Sequence, residues 1–428
     1  MSIDYKIGLS RCRLFDFQNC VSFVGEYSEE FSEKELSKAI KMLGVKKPII
    51  TSQIELAENA EAFLQLERVD PGIHFIEADV SAFVDEYKSN GLNFTEKLFE
   101  FFVLNKNTLV IFSHTVVSDA KSLLILAKEL LSYYNKESVS VEPDEIKLFS
   151  TDAEIPSEAE SFVADRVTEV LNNDWIMKPK SFSFDDYKAA KQKFLEEKSE
   201  TKCKDFYFDD ELTALLNERS QDLKIDLSSL VAFALLKVFS ENTKSDKKIH
   251  KMNTQLDRRP FFVNREAYSV GAFNGTVSLE LPKKLSDLTE QVKAFHKVYY
   301  KKFSECFNAF YNELFLSKLE PSFLDSAFIY KAKQYKSKPT KKLATLYGCE
   351  QKFLLSFASY NLSQKSWEKL STFNHILVNE PHKSNESVSA TLILSRKNML
   401  HLEWESEAYN DEKITEILES FVSVLKQL

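Results

Sequence analysis

The sequence predicts an α/β protein built in two similar halves. Three observations carry this: strand and helix patterns alternate through the first half, a polar and charged stretch interrupts them, and the alternation then restarts. At 428 residues the chain suits two sizeable domains, and 43% hydrophobic residues supply a core for each. The expected division is an N-terminal unit over 1–175, a linker over 176–205 and a C-terminal unit over 206–428.

The first half opens with a strand over Val21–Glu26. Glu33–Met42 has helical spacing that continues through Leu36, Ile40 and Leu43. Pro48–Glu55 and His74–Ala78 read as strands, and Lys97–Val103 reads as a helix before the strand Thr108–Phe112. The helix beginning near Ala120 has the clearest pattern, with Leu123, Leu126, Ala127, Leu130, Leu131 and Tyr134 on one face. Lys178–Ser183 is polar with a proline, and Tyr187–Thr201 is charged with few apolar anchors, which suits a linker or a solvated helix. The second half resumes with a helix over Asp210–Arg219 and an apolar helix through Leu230–Phe239, capped by Asp226 or Ser228. Thr276–Leu281 is a strand, Ser387–Ser395 and Met399–Glu405 form a hairpin across Arg396–Asn398, and Asp411–Leu425 is the last helix.

Composition excludes several classes. No apolar run approaches the roughly 20 residues a bilayer requires. The start, MSIDYKIGLSRCR, carries charge early and lacks an apolar signal core, so a cytoplasmic location is expected. The five cysteines are scattered and never form a CxxC pair, which argues against a zinc site or a disulfide framework. A net charge of −9, well mixed, argues against an extended nucleic-acid groove. No glycines have GxGxxG or GxxxxGK spacing, and His74, His250, His296, His375, His382 and His401 show no metal-ligand spacing.

The most informative segment is Ser113–Leu123, SHTVVSDAKSL. An apolar strand leads into His114, Asp119 follows five residues later, and a helix starts at once. This layout resembles the HHxxxDG site of the chloramphenicol-acetyltransferase-like superfamily, which includes condensation domains and alcohol O-acetyltransferases. Asp119-Ala120-Lys121-Ser122-Leu123, with Glu129-Leu130 further on, matches the Asp-Gly-x-Ser-Leu opening of that helix. This register puts Thr115 where the superfamily has its second His, the general base; sliding by one would put Ser118 on the Asp position.

Weaker matches extend along the chain. Phe31–Thr51 is similar to the early helix and "HPxLR" stretch, with Lys47 in place of His. Asp257-Arg258-Arg259-Pro260 resembles an Asp-Leu-Arg-Pro or Gly-Arg-Pro element, Val270–Thr276 the "IGxFxNT" element with Gly275 for Asn, and Tyr360-Asn361-Leu362-Ser363 the "SNLG" segment. The resemblance implies two chloramphenicol-acetyltransferase-like α/β sandwich subdomains in a V-shaped pseudo-dimer, with a tunnel at the seam. It implies acyl transfer, in specialised metabolism, from acyl-CoA or a phosphopantetheinyl carrier protein to a hydroxyl or amine of a small-molecule acceptor. No tightly bound cofactor and no metal are implied. The alternative is a catalytically silent condensation-like module that binds a carrier protein or partner enzyme. By the same resemblance Asp119 is structural and pairs with Arg259, while Ser113, Ser118, Asn274, Gly275 and Asn361 would lie along the tunnel.

The chemistry at the motif stays open. A threonine hydroxyl has no useful basicity at neutral pH, so Thr115 cannot replace imidazole, whose pKa suits the task. His114 could supply the base after a local distortion. Transfer could instead proceed by positioning alone, or with an amine already deprotonated. The third reading is the silent module.

Overall fold

The strand that leads into the motif, β7 (Thr108–His114), lies at the centre of a five-stranded sheet. Its neighbours, in order, are β12 (Phe373–Asn379), β2 (Cys20–Tyr27), then β7 itself, β6 (Phe99–Leu104) and β5 (Ile73–Ile76). The computed structural model describes residues 4–137, 140–146, 162–242, 249–262, 270–283, 285–346, 354–381 and 386–428. His382 lies outside the described residues. The first sheet is covered on one face by α1 (Glu33–Lys46) and α3 (Ala120–Tyr134), and on the other by α2 (Val80–Asn90).

Two expectations for this half need correction. Lys97–Val103 is not helical: the run FEFFVL forms β6, and all six residues are buried. Phe99, Phe101 and Val103 enter one core, Phe102 and Leu104 the other. A short run buried on both faces has no period to separate strand from helix. Pro48–Glu55 divides into a single 3₁₀ turn, Pro48–Thr51, and β3 (Gln53–Leu56). Proline fits the first turn of a helix because its missing N–H has no partner there. β3 pairs with β4 (Ala62–Gln65), which pairs with β1 (Asp4–Lys6), giving a small outlying sheet.

The second lobe holds a six-stranded sheet. Its order is β10 (Asn274–Glu280), β9 (Lys251–Asp257), β11 (Leu355–Asn361), β13 (Val388–Leu394), β14 (Met399–Glu405) and β8 (Thr201–Tyr207). β13 and β14 pair antiparallel, so the hairpin across Arg396–Asn398 is present. One face is buried under α6 (Asp210–Leu223), α7 (Leu227–Asn242), α8 (Leu288–Ser304) and α12 (Asp411–Gln427). Strand alternation sends Leu400, Leu402 and Trp404 into that core. His401 and Glu403 take the opposite face, where Lys88 of α2 in the first lobe pairs with Glu403.

The lobes exchange elements. The stretch expected as a linker, 176–205, carries α5 (Phe184–Glu197), whose Tyr187 and Ala190 join the first core, and then most of β8, which pairs with β14. β12 comes from the second half of the chain, yet it pairs antiparallel with β2 of the first sheet. Among the described residues, no helix is long and apolar enough to cross a membrane.

Candidate functional site

β7 ends at His114, and the chain turns through Thr115–Ser118 before Asp119 caps α3. The Asp119 carboxylate accepts from the Ser122 amide at 2.8 Å and the Ser122 hydroxyl at 2.7 Å. Such a cap satisfies backbone donors that a helix start leaves free. Asp119 also receives Arg259 Nη1 and Nη2, each at 3.0 Å, and the Phe273 amide at 3.0 Å. Arg259 reaches onward to Asp257 at 2.9 Å and the Ser122 hydroxyl at 2.8 Å. Ser122 closes the network on Gly271, its oxygen accepting from the Gly271 amide at 3.0 Å and lying 2.8 Å from the Gly271 carbonyl oxygen, which competes with Asp119 for the single hydroxyl proton. The structure thus brings Asp119 and Arg259 together, and the helix cap in one lobe is fastened to the second lobe.

Burial would discharge Arg259, but Asp119 and Asp257 raise its pKa above the ordinary arginine value. Burial likewise disfavours the Asp257 carboxylate, and Arg259 with Lys121 overrides this, lowering its pKa. Lys121 meets Asp257 at 2.5 Å.

The preceding turn is sealed. His114 is 0% exposed, its Nδ1 accepts from the Val116 amide at 3.2 Å, and its Nε2 has no partner among the described residues. Phe94 stands edge-on to the ring at 5.8 Å. Phe184 and Tyr187 pack on Phe94 in turn. Burial, with a smaller push from Lys191, lowers the pKa of His114 to about 3. Thr115 is 6% exposed, and among the described residues neither its hydroxyl nor that of Ser113 has a partner. Ser118 is buried and turns its hydroxyl back to the Asp119 carbonyl at 3.3 Å.

A crevice of about 230 Å³ opens beside Asp119, between the lobes. Asp119, Lys121, Asp257, Arg259, Tyr360 and Glu380 give it a charged and phenolic wall, and Leu124 and Trp367 an apolar one. Glu380 accepts the Ala120 amide at 2.8 Å, a second carboxylate at the start of α3 where the helix dipole favours negative charge. Asn274 and Asn361 line this crevice, whereas Ser113, His114, Thr115, Ser118 and Gly275 do not. Arg13 holds Asn274 through its side chain and, at 2.9 Å, its carbonyl. Asn361 folds its side chain onto the Ser363 amide at 3.1 Å. Gly275 is needed for close approach, because a Cβ there would come within 2.9 Å of the Ala309 carbonyl oxygen and 2.8 Å of Arg258 Nε.

Sequence reasoning missed Lys121, Tyr360, Trp367 and Glu380 as crevice residues. Tyr360 and Lys121 lie inside segments that the resemblance picked out; Trp367 and Glu380 carry no local signal. It also passed over Lys191, an α5 lysine that is 7% exposed and whose pKa burial lowers to about 8.

No protein-family model and no curated protein matches the sequence. Solved structures do match. The epimerization domain from the third module of tyrocidine synthetase B superposes with a TM-score of 0.63 at 13% identity, over 99% of this chain and 97% of that one. The condensation domain of the Monacolin K polyketide synthase MokA gives 0.61 at 11%, over 99% and 96%. Polyketide synthase associated protein 5 from Mycobacterium tuberculosis gives 0.58 at 13%, over 99% and 97%. The chain therefore has the two-lobed, chloramphenicol-acetyltransferase-like fold of condensation domains.

Proposed function

We propose that the protein is a catalytically silent, condensation-fold binding module. Its crevice beside Asp119 takes a phosphopantetheine-borne or CoA-borne group, and no acyl group is transferred at His114 or Thr115. The observation that carries this reading is the enclosure of His114. A general base must reach the proton it removes and be able to hold it near neutral pH. His114 has no opening to the crevice, and its pKa of about 3 leaves it neutral and weakly basic. The crevice itself has convergent polar groups and an apolar wall, the usual make-up of a small-molecule site.

The test is a panel of acyl-CoAs and acyl-pantetheines, followed by calorimetry for binding and by thiol release for turnover. Saturable binding, weakened by Trp367→Ala, with no thiol release is expected. Acyl transfer that disappears in His114→Ala would overturn the reading.

A further inference from the structure

A second, larger cavity of about 760 Å³ adjoins the crevice, sharing only Leu362 and Gln364 with it. It lies where edge strands of the two sheets meet: the Tyr207 hydroxyl of β8 is 3.0 Å from His375 Nδ1 of β12. Its lining combines buried apolar side chains, exposed cations and neutral polar groups such as Asn374 and Ser395. Leu362, Leu370, Phe373, Ile376 and Met399 form a floor of buried apolar side chains. Lys365, Arg396 and Lys397 stand exposed around it, and Glu368 is the one carboxylate among the lining residues. None of the three cations forms an ion pair among the described residues.

We propose that this cavity binds an amphiphilic anion, an aliphatic acyl chain lying on the floor with a carboxylate or phosphate head among the three cations. Its volume falls in the range of small-ligand sites. A purely polar ligand would leave five apolar side chains unused, and a neutral lipid would leave three cations unanswered. Free fatty acid and fatty acyl-CoA share this chemistry. The inference concerns a different cavity from the crevice and does not depend on the reading given above.

The experiment titrates the full chain with octanoate, palmitate, methyl palmitate, palmitoyl-CoA and CoA, using displacement of an environment-sensitive dye. Saturable palmitate or palmitoyl-CoA binding is expected, tightening about fourfold per added methylene until the floor is covered. The triple variant Lys365→Glu, Arg396→Glu, Lys397→Glu should weaken binding about tenfold, since exposed charges contribute only modestly each. Ser371→Trp, which fills the cavity from its wall, should abolish binding while thermal unfolding stays unchanged. Palmitate without palmitoyl-CoA binding identifies the free acid, and the reverse identifies the thioester. The proposal is overturned if no titration saturates, if octanoate binds as tightly as palmitate, if CoA alone matches palmitoyl-CoA, or if charge reversal changes nothing.

Discussion

Asp119 and Arg259 face each other through both carboxylate oxygens and both terminal guanidinium nitrogens, at 3.0 Å on each side, with both side chains almost fully buried. Lysine cannot reproduce that fork, because its ammonium is a single point charge. Arg259→Lys is therefore expected to destabilise the fold even though charge is kept, and Arg259→Leu to do so by about 3–5 kcal/mol, leaving Asp119 buried without its cation. Chemical denaturation checks both; a loss below about 1 kcal/mol for Arg259→Leu would contradict the assignment.

Glu403 is a second buried carboxylate with a cross-lobe cation, Lys88, and it also accepts from Asn379 at 2.9 Å. One of its oxygens has no partner among the described residues. Lys88→Met should thus destabilise by about 3–5 kcal/mol, whereas the double change Lys88→Met, Glu403→Gln should recover part of the loss. A double-mutant cycle read by thermal unfolding decides this.

His114 and His401, both buried, predict opposite limbs of the stability profile. Burial lowers His114 from 6.5 to about 3, so between those values the unfolded chain binds the proton and the folded chain does not. Stability from this site is complete above pH 6.5 and is lost as pH falls toward 3. At His401 burial opposes the charge, but hydrogen bonds to Asp205 and Glu403 push the pKa up to about 9. Its contribution is complete below pH 6.5 and is lost as pH rises through 9. Unfolding of His114→Leu and His401→Leu against pH should flatten the acid and alkaline limbs respectively.

Gly91 ends α2 with φ of 64°, a conformation that favours glycine. A Cβ there would lie 2.4 Å from Lys191 Nζ and 2.5 Å from Asn19 Oδ1. Gly91→Ala should cost about 1–3 kcal/mol, the strain of the backbone adding to the displacement of Lys191. A Lys191→Ala background should shrink that cost, measured by the same unfolding assay.

How far the fold was legible depends on how each element buries itself. α3 and α12 carry one apolar stripe against a sheet, so their spacing reads directly. β6 is apolar on both faces and mimics a helix segment. α5 was masked by charge, because only Tyr187, Ala190 and Lys191 turn fully inward. At the site, Asp119 and Arg259 stand in segments whose residue types require each other, a buried carboxylate and a fork-shaped cation. The closure around His114 had no such mark. It depends on Phe94, Phe184 and Tyr187, three aromatics distant in sequence that any core could use.

The pairing of β12 with β2 has a consequence for synthesis. A nascent chain that has emerged only through its first two hundred residues holds four strands of a five-stranded sheet, with the backbone of β2 unpaired along one side. Such a side invites a neighbouring polypeptide. Maturation of the first lobe has to wait for residues 373–379, and a ribosome stalled before them would release a fragment prone to sticking to its own kind.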